Sequence, residues 1–167
     1  MNRKILDIPR WWELGCLLLV CWCCGAIMWP VWRAARPAKK SIACLSNIKQ
    51  LALGQIMYSS DFDDRLPSAT AWMDCIAKYV QSAGVFHCPA LDGKDEYGYA
   101  MNVACDREKT TDEHEPESKV LLFESVLLAR NACSGVYGLP NPSRHDDRNV
   151  AVYVDGHAKL FGPGKTP

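Results

Sequence analysis

The chain has 167 residues, enough for one modest domain and an appendage. Lys plus Arg and Asp plus Glu balance at 19 each, so no net charge draws the chain onto nucleic acid or anionic lipid. Nine cysteines are many for this length, but the one CxxC spacing, "CWCC" at Cys21–Cys24, lies within an apolar block, which argues against zinc-ribbon and thioredoxin-type motifs.

The first element is an apolar block. From Leu14 to Trp32, "LGCLLLVCWCCGAIMWPVW" contains no charged residue and is bounded by Glu13 and Arg33. At about 1.5 Å per residue it reaches roughly 28 Å, enough to cross a hydrocarbon core. Trp11, Trp12, Trp29 and Trp32 stand at its two ends, where an interfacial aromatic belt places them. A cleavable signal peptide has a shorter apolar part and small residues before the cut. Here the run passes into "WPVWRAARPAKK" instead, so the expectation is a retained membrane helix. Arg3, Lys4 and Arg10 precede it and Arg33, Arg36, Lys39 and Lys40 follow, a balance too even to orient the span by charge. Pro30 and Pro37 each remove a backbone donor and predict a kink.

Beyond Pro37, "AKKSIACLSNIKQLALGQIMYSS" carries apolar residues at Ile42, Leu45, Ile48, Leu51 with Ala52, and Ile56, which predicts an amphipathic helix with one apolar stripe. The acidic, Pro-containing "DFDDRLPSATAW" stops it. Thr70 is the expected cap of a short helix, "AWMDCIAKYV". A loop with "FHCPA" and then "YGYAMNV" follow, and residues 105–118 read as an exposed polar loop. "KVLLFESVLL" predicts a buried strand, and "NACSGVYGLPNPS" a loop. "NVAVYV" alternates and is β-branched, and "HAKLF" resumes after Asp155-Gly156, which predicts a C-terminal β-hairpin with positive φ at both turn residues. The expected fold class is α+β: a long N-terminal helix packed on a small antiparallel sheet.

Five cysteines, Cys44, Cys75, Cys88, Cys105 and Cys133, lie outside the apolar block. In an oxidising compartment at least one of an odd number stays unpaired or pairs between chains, and spacing alone does not fix the pairing.

Four elements resemble a known family in the right order. They are "WPVWRAARPAKKSIACLSNIKQLALGQIMYSSDFDDRLP", "FHCPA", "YGYAMN", and His145 followed after nine residues by Asp155-Gly156. Across roughly residues 13 to 161 the chain resembles the bacterial pseudopilin-like family with the H-X9-DG signature, which shares its plan with type IV pilins. The resemblance implies a cytoplasmic segment 1–13, a transmembrane helix 14–32, an amphipathic stalk helix 33–60 and a periplasmic α+β head 61–167. It implies a structural role in a type II secretion or type IV pilus-like assembly, on the bacterial inner membrane. The expected partners are the membrane and other pilin-like subunits or secretion-system components, with no nucleic acid. Glu13 matches the pilin glutamate that pairs with a neighbouring subunit's N-terminal amine; a solvated Glu favoured by the helix dipole is the simpler alternative. Prepilins carry Gly or Ala and then an aromatic residue at the cut, whereas here Ile8 and Pro9 stand there. Pro9 fixes φ and removes a donor, so an uncleaved N-terminus is expected.

Two clusters could carry chemistry. Asp61, Asp63 and Asp64 offer oxygen ligands at calcium-like spacing, but without the Gly and distal Glu of an EF-hand loop. Calcium is the only cofactor this turn suggests, and a solvated acidic turn is the simpler reading. His145 and His157 lie near Asp146, Asp147 and Asp155, but no nucleophile–base pattern accompanies them, so no enzyme activity is expected. His145, Asp155 and Gly156 read as a structural latch, with His145 hydrogen-bonding backbone near the turn. Arg144 and Arg148 beside Asp146 and Asp147 read as a surface ion-pair cluster. The competing functional reading is an uncleaved single-pass membrane protein whose periplasmic head binds a ligand or metal outside any filament.

Overall fold

A computed structural model describes residues 10–93, 95–145 and 148–162. The chain is α+β and divides into two compact units between Arg36 and Pro37. Its elements are α1 (Arg10–Asp61), α2 (Trp72–Ile76), β1 (Tyr99–Asn102), β2 (Val120–Glu124), β3 (Cys133–Ser134), β4 (Asn149–Tyr153) and β5 (Ala158–Phe161). Helix α1 runs 52 residues and stays helical through Pro30 and Pro37. Each proline removes one donor, and the flanking turns keep theirs.

In the first unit, residues 11–33 are exposed on every side. Trp11–Arg33 is long and apolar enough to cross a membrane, and none of it is buried within the protein. A core helix of a soluble domain would bury at least one stripe.

In the second unit, the buried stripe of α1 is Ser41, Cys44, Ile48, Leu51, Ala52, Gln55 and Ser59. This face is rotated from the one the apolar residues predict. Ile42 is 67% exposed, Leu45 and Ile56 are half-buried, and Cys44 takes the central seat. The segment expected as an amphipathic stalk packed on the sheet is, from Ser41 onward, part of the core of this unit, together with Trp72, Met73 and Ile76 of α2.

The sheet has five strands in the order β3-β1-β2-β4-β5. It is mixed, not purely antiparallel: β1 pairs in parallel with β3, a two-residue strand inside the segment that reads as a Gly- and Pro-rich loop. The other pairs are antiparallel. Alternation sends Tyr99, Met101, Val150 and Val152 to the helix face. Ala100, Phe123, Ala151 and Tyr153 go to a second apolar cluster on the opposite face, partly covered by Val136 and Leu139. Between Val120 and Leu122 the pairing of β2 with β4 shifts register, and Leu121 and Leu122 both reach the helix-side cluster. Regular alternation then resumes, with Phe123 on the far face and Glu124 on the helix face.

Two local devices differ from the sequence expectation. Thr70 does not cap α2; its hydroxyl meets that of Ser68. The N–H groups of Met73 and Asp74 instead donate to the Asn131 side-chain oxygen, at 2.8 and 3.4 Å. Asn131 holds a φ of 55°, a left-handed conformation that Asn tolerates better than most residues. In the β4–β5 hairpin, Gly156 N–H donates to the Tyr153 carbonyl (2.9 Å), and Gly156 has the only positive φ of the connection, 87°. This is a turn followed by a left-handed glycine, so the Asp155 position does not need the positive φ that the two-residue turn implied. Asp155 accepts the His157 backbone N–H at 3.0 Å.

Asn131→Ala should destabilise the second unit by about 0.5–2 kcal/mol through the lost cap, whereas Thr70→Ala should change little. Gly156→Val should cost about 1–2 kcal/mol or more, since a Cβ there finds room (3.5 Å from Ile56 Cδ1) and the strain is conformational. Asp155→Ala should cost less, because water can replace an exposed acceptor. Thermal melts of the purified chain rank these four variants directly.

Candidate functional site: a buried Cys–Glu–His cluster

Four elements bring one ligand-type side chain each to a single point inside the second unit. Cys44 comes from the buried stripe of α1. Cys88 lies in "FHCPA", just after a 3₁₀ turn at Ala83–Phe86, and its N–H donates to the Tyr97 carbonyl at 2.9 Å. The neighbouring His87 ring stacks on Tyr97 at 4.5 Å, which fixes the loop from its outer side. Glu124 ends β2 on the helix face, carried there by the alternation described above. His145 precedes β4 and exchanges two backbone hydrogen bonds with Arg148, at 3.2 and 2.9 Å. Arg144 anchors this segment by donating to the carbonyls of Gly98 (2.9 Å) and Ser125.

The thiol, carboxylate and imidazole atoms of Cys44, Cys88, Glu124 and His145 all lie within 4.8 Å of one another, and all four residues are buried. Glu124 Oε1 is 2.7 Å from His145 Nε2 and accepts from the Cys44 thiol at 2.9 Å. Cys88 Sγ lies 3.6 Å from the same oxygen, 3.7 Å from His145 Nε2 and 3.8 Å from Cys44 Sγ. The other carboxylate oxygen, Oε2, accepts the Val150 N–H at 2.8 Å, and the Tyr99 hydroxyl sits 3.1 Å from Cys44 Sγ. Side-chain exposure of His145 and Glu124 is 1% and 0%. An isolated buried carboxylate would carry a large desolvation cost, and this one has donors on both oxygens.

The environment splits the two thiols. The hydrogen bond with Cys88, burial and the Glu124 charge all push Cys44 up. Cys88 is lowered to about 5, chiefly by the Cys44 hydrogen bond and, against burial, by His145. Burial alone pulls His145 down, but its hydrogen bonds with Cys88 and Glu124 outweigh that and raise it to about 9. Tyr99 is held well above its ordinary value, first by burial. The cluster therefore favours a protonated Cys44 and Tyr99 beside a charged imidazole and a Cys88 thiolate.

A Cys–His–Glu catalytic relay is a poor description of this arrangement. Such a relay places thiol and carboxylate on opposite ring nitrogens, whereas here both face Nε2. A substrate would also have no open approach to the buried sulfur.

The residues singled out from sequence divide sharply. His145 is in the cluster, but its side chain bonds Glu124 and Cys88, not the backbone expected of a turn latch. Asp155 and Gly156 stay in the hairpin connection, where Asp155 also meets His157 Nδ1 at 2.7 Å. Asp61 accepts from the Tyr79 hydroxyl at 2.5 Å, and Asp63 and Asp64 hold positive φ in the following turn. Among the described residues these three carboxylates are not gathered into a ligand set; Cys44, Cys88, Glu124 and His145 form the one such set. Glu13 is exposed in the first turn of α1. Asp146, Asp147, Ile8 and Pro9 lie outside the described residues. Sequence reasoning missed Glu124, hidden inside an apolar strand, and reads Arg144 as part of a surface ion-pair cluster, whereas its guanidinium holds the carbonyls of Gly98 and Ser125. No family model, no curated protein and no solved structure matches this chain.

Glu124→Ala leaves the imidazole, the Cys44 thiol and the Val150 N–H without their common acceptor. It should cost about 3–5 kcal/mol, the range for removing one partner of a buried pair. Glu124→Gln keeps the shape and one acceptor oxygen and should cost less, while Asp61→Ala should change stability little. Denaturant unfolding of the full chain in detergent, followed by tryptophan fluorescence and far-UV circular dichroism, measures all three.

Proposed function

We propose that this chain is a pseudopilin-like, single-pass membrane protein serving as a structural part of a type II secretion or type IV pilus-like assembly. In this reading the α+β unit lies on the periplasmic side of a bacterial inner membrane. The observation that carries it is α1. One helix contains an all-round apolar segment, Trp11–Arg33, and further along a stripe that forms the core of a small α+β unit. A helix apolar on every side needs a nonpolar solvent or a partner surface, and its tryptophans at both ends suit a membrane interface. The same chain carries the sequence elements that resemble the pseudopilin-like family, from "CLSNIKQLALGQIMYSSDFDDRLP" to His145 and Asp155-Gly156.

Glu13 fits this role at the level of energetics. A carboxylate at the edge of an apolar span is costly unless neutralised, and a neighbouring subunit's N-terminal amine would do so. The buried Cys–Glu–His cluster contributes no exposed chemistry; its part is to tie helix, loop and strands of the second unit into one rigid body.

Topology is checked by fusing alkaline phosphatase after Pro167 in a bacterial host. Phosphatase activity in a carbonate-resistant membrane fraction is expected. A fusion that is inactive, with a cytoplasmic fluorescent reporter active at the same position, would overturn the periplasmic assignment. Intact-mass measurement of the membrane-extracted protein should show an unprocessed N-terminus, while Ile8→Gly combined with Pro9→Phe should create a substrate for a prepilin peptidase. A wild-type protein already starting at Pro9 and methylated would contradict this.

A further inference from the structure

We infer that Cys44, Cys88, Glu124 and His145 form a structural zinc site in the second unit. Two thiols, one imidazole and one carboxylate are a donor set suited to a cation of borderline softness, and four protein ligands make a closed coordination sphere with no position for substrate. Zinc–sulfur bonds of about 2.3 Å and zinc–nitrogen or zinc–oxygen bonds of about 2.0–2.2 Å, at tetrahedral angles, put sulfur atoms about 3.8 Å apart and sulfur about 3.6 Å from nitrogen or oxygen. Cys44 Sγ and Cys88 Sγ are 3.8 Å apart, Cys88 Sγ and His145 Nε2 3.7 Å, and Cys88 Sγ and Glu124 Oε1 3.6 Å. Two contacts are shorter: Glu124 Oε1 lies 2.7 Å from His145 Nε2 and 2.9 Å from Cys44 Sγ. A tetrahedral ion would open these by about 0.6–0.7 Å, a small retreat of one carboxylate oxygen.

The surroundings already supply the partners that orient metal ligands. Val150 N–H holds Glu124 Oε2 at 2.8 Å, leaving Oε1 to face the other three groups. The Tyr99 hydroxyl, 3.1 Å from Cys44 Sγ, is placed to donate to a coordinated thiolate. All four ligands are buried, and they come from α1, the "FHCPA" loop, the end of β2 and the segment before β4. One ion would therefore cross-link the helix to the loop and the strands. A disulfide would need the sulfurs at about 2.05 Å, and would leave imidazole and carboxylate without sulfur partners. This inference concerns the second unit alone, so its failure and the failure of the membrane-anchor reading are separate results.

The test uses the full chain, untagged, purified in detergent without chelator. Metal content, free thiols after denaturation and intact mass without reductant are measured on the same sample. About one zinc per chain is expected, with Cys44 and Cys88 reduced. Removing the zinc with a chelator and adding Co²⁺ should give thiolate-to-cobalt charge-transfer bands and the intense visible bands of tetrahedral cobalt. Cys88→Ser and His145→Ala should lose stoichiometric zinc and these bands, while Cys105→Ser, a buried cysteine outside the cluster, should keep both. Because a variant could fail to fold, circular dichroism accompanies each, and the cobalt spectrum of the wild type stands independently of them. Metal-free protein with both thiols reduced would overturn the inference and leave a hydrogen-bonded polar cluster. A mass lower by two hydrogens, mapped to Cys44–Cys88, would replace it with a disulfide. Zinc retained in well-folded Cys88→Ser and His145→Ala would place the ion elsewhere and also overturn it.

Discussion

The buried carboxylate of Glu124 is the constraint on which the second unit depends. It stands at the end of a central strand, on the face that packs against α1, with no side-chain exposure. Water cannot solvate it there, so every neighbouring element must present a donor or a cation. α1 does so with Cys44, β4 with the Val150 N–H, and the segment before β4 with His145, while Cys88 of the "FHCPA" loop faces the same imidazole. These contributions come from positions far apart in the chain, and none works if its element moves by the length of a hydrogen bond. The carboxylate thus converts a loosely specified apolar packing into one with a single register.

That requirement explains why the stripe of α1 is not the one its apolar residues suggest. Ile42 and Leu45 would bury more hydrocarbon than Ser41 and Cys44, yet Ile42 is exposed and Cys44 is central. Turning the helix to bury Ile42 would withdraw the Cys44 thiol from Glu124 and leave the carboxylate short of a donor. A few kcal/mol of polar compensation at one point outweighs the burial of one aliphatic side chain, about 1.5–3 kcal/mol.

The same reasoning separates what the sequence discloses from what it hides. The apolar run from Leu14 to Trp32, strand β2 and the C-terminal hairpin are local patterns, set by periodicity or by an Asp-Gly turn, and they are legible in outline, although β2 ends at Glu124 and leaves Val126 and Leu127 of the predicted strand exposed. The β1–β3 pairing is not, because β3 has two residues and no alternation to detect. The cap of α2 is supplied by Asn131 from a distant loop, so the nearby Thr70 was the natural but mistaken choice. The cluster was half visible: His145 stood out, and Cys44 and Cys88 were counted among unassigned cysteines. Glu124 lies in the middle of the predicted strand "KVLLFESVLL", and the register shift between Val120 and Leu122 sets which face it occupies. Long-range partners of this kind depend on the three-dimensional closure of the chain, which composition and spacing do not encode locally.

Arg144 shows how the fold protects this arrangement. Its guanidinium holds the carbonyls of Gly98, just before β1, and Ser125, just after β2. Gly98 has a φ of 80°, and a Cβ there would fall 2.8 Å from the Arg144 guanidinium and 3.1 Å from the Cys88 Cβ. The glycine therefore leaves room for both the arginine and the cysteine loop. By fixing the ends of β1 and β2 to the residue before His145, Arg144 sets where the imidazole meets the carboxylate. The side chain that faces the cluster and the one that positions it are neighbours in sequence, so a displacement of this short segment would be felt at both sites together.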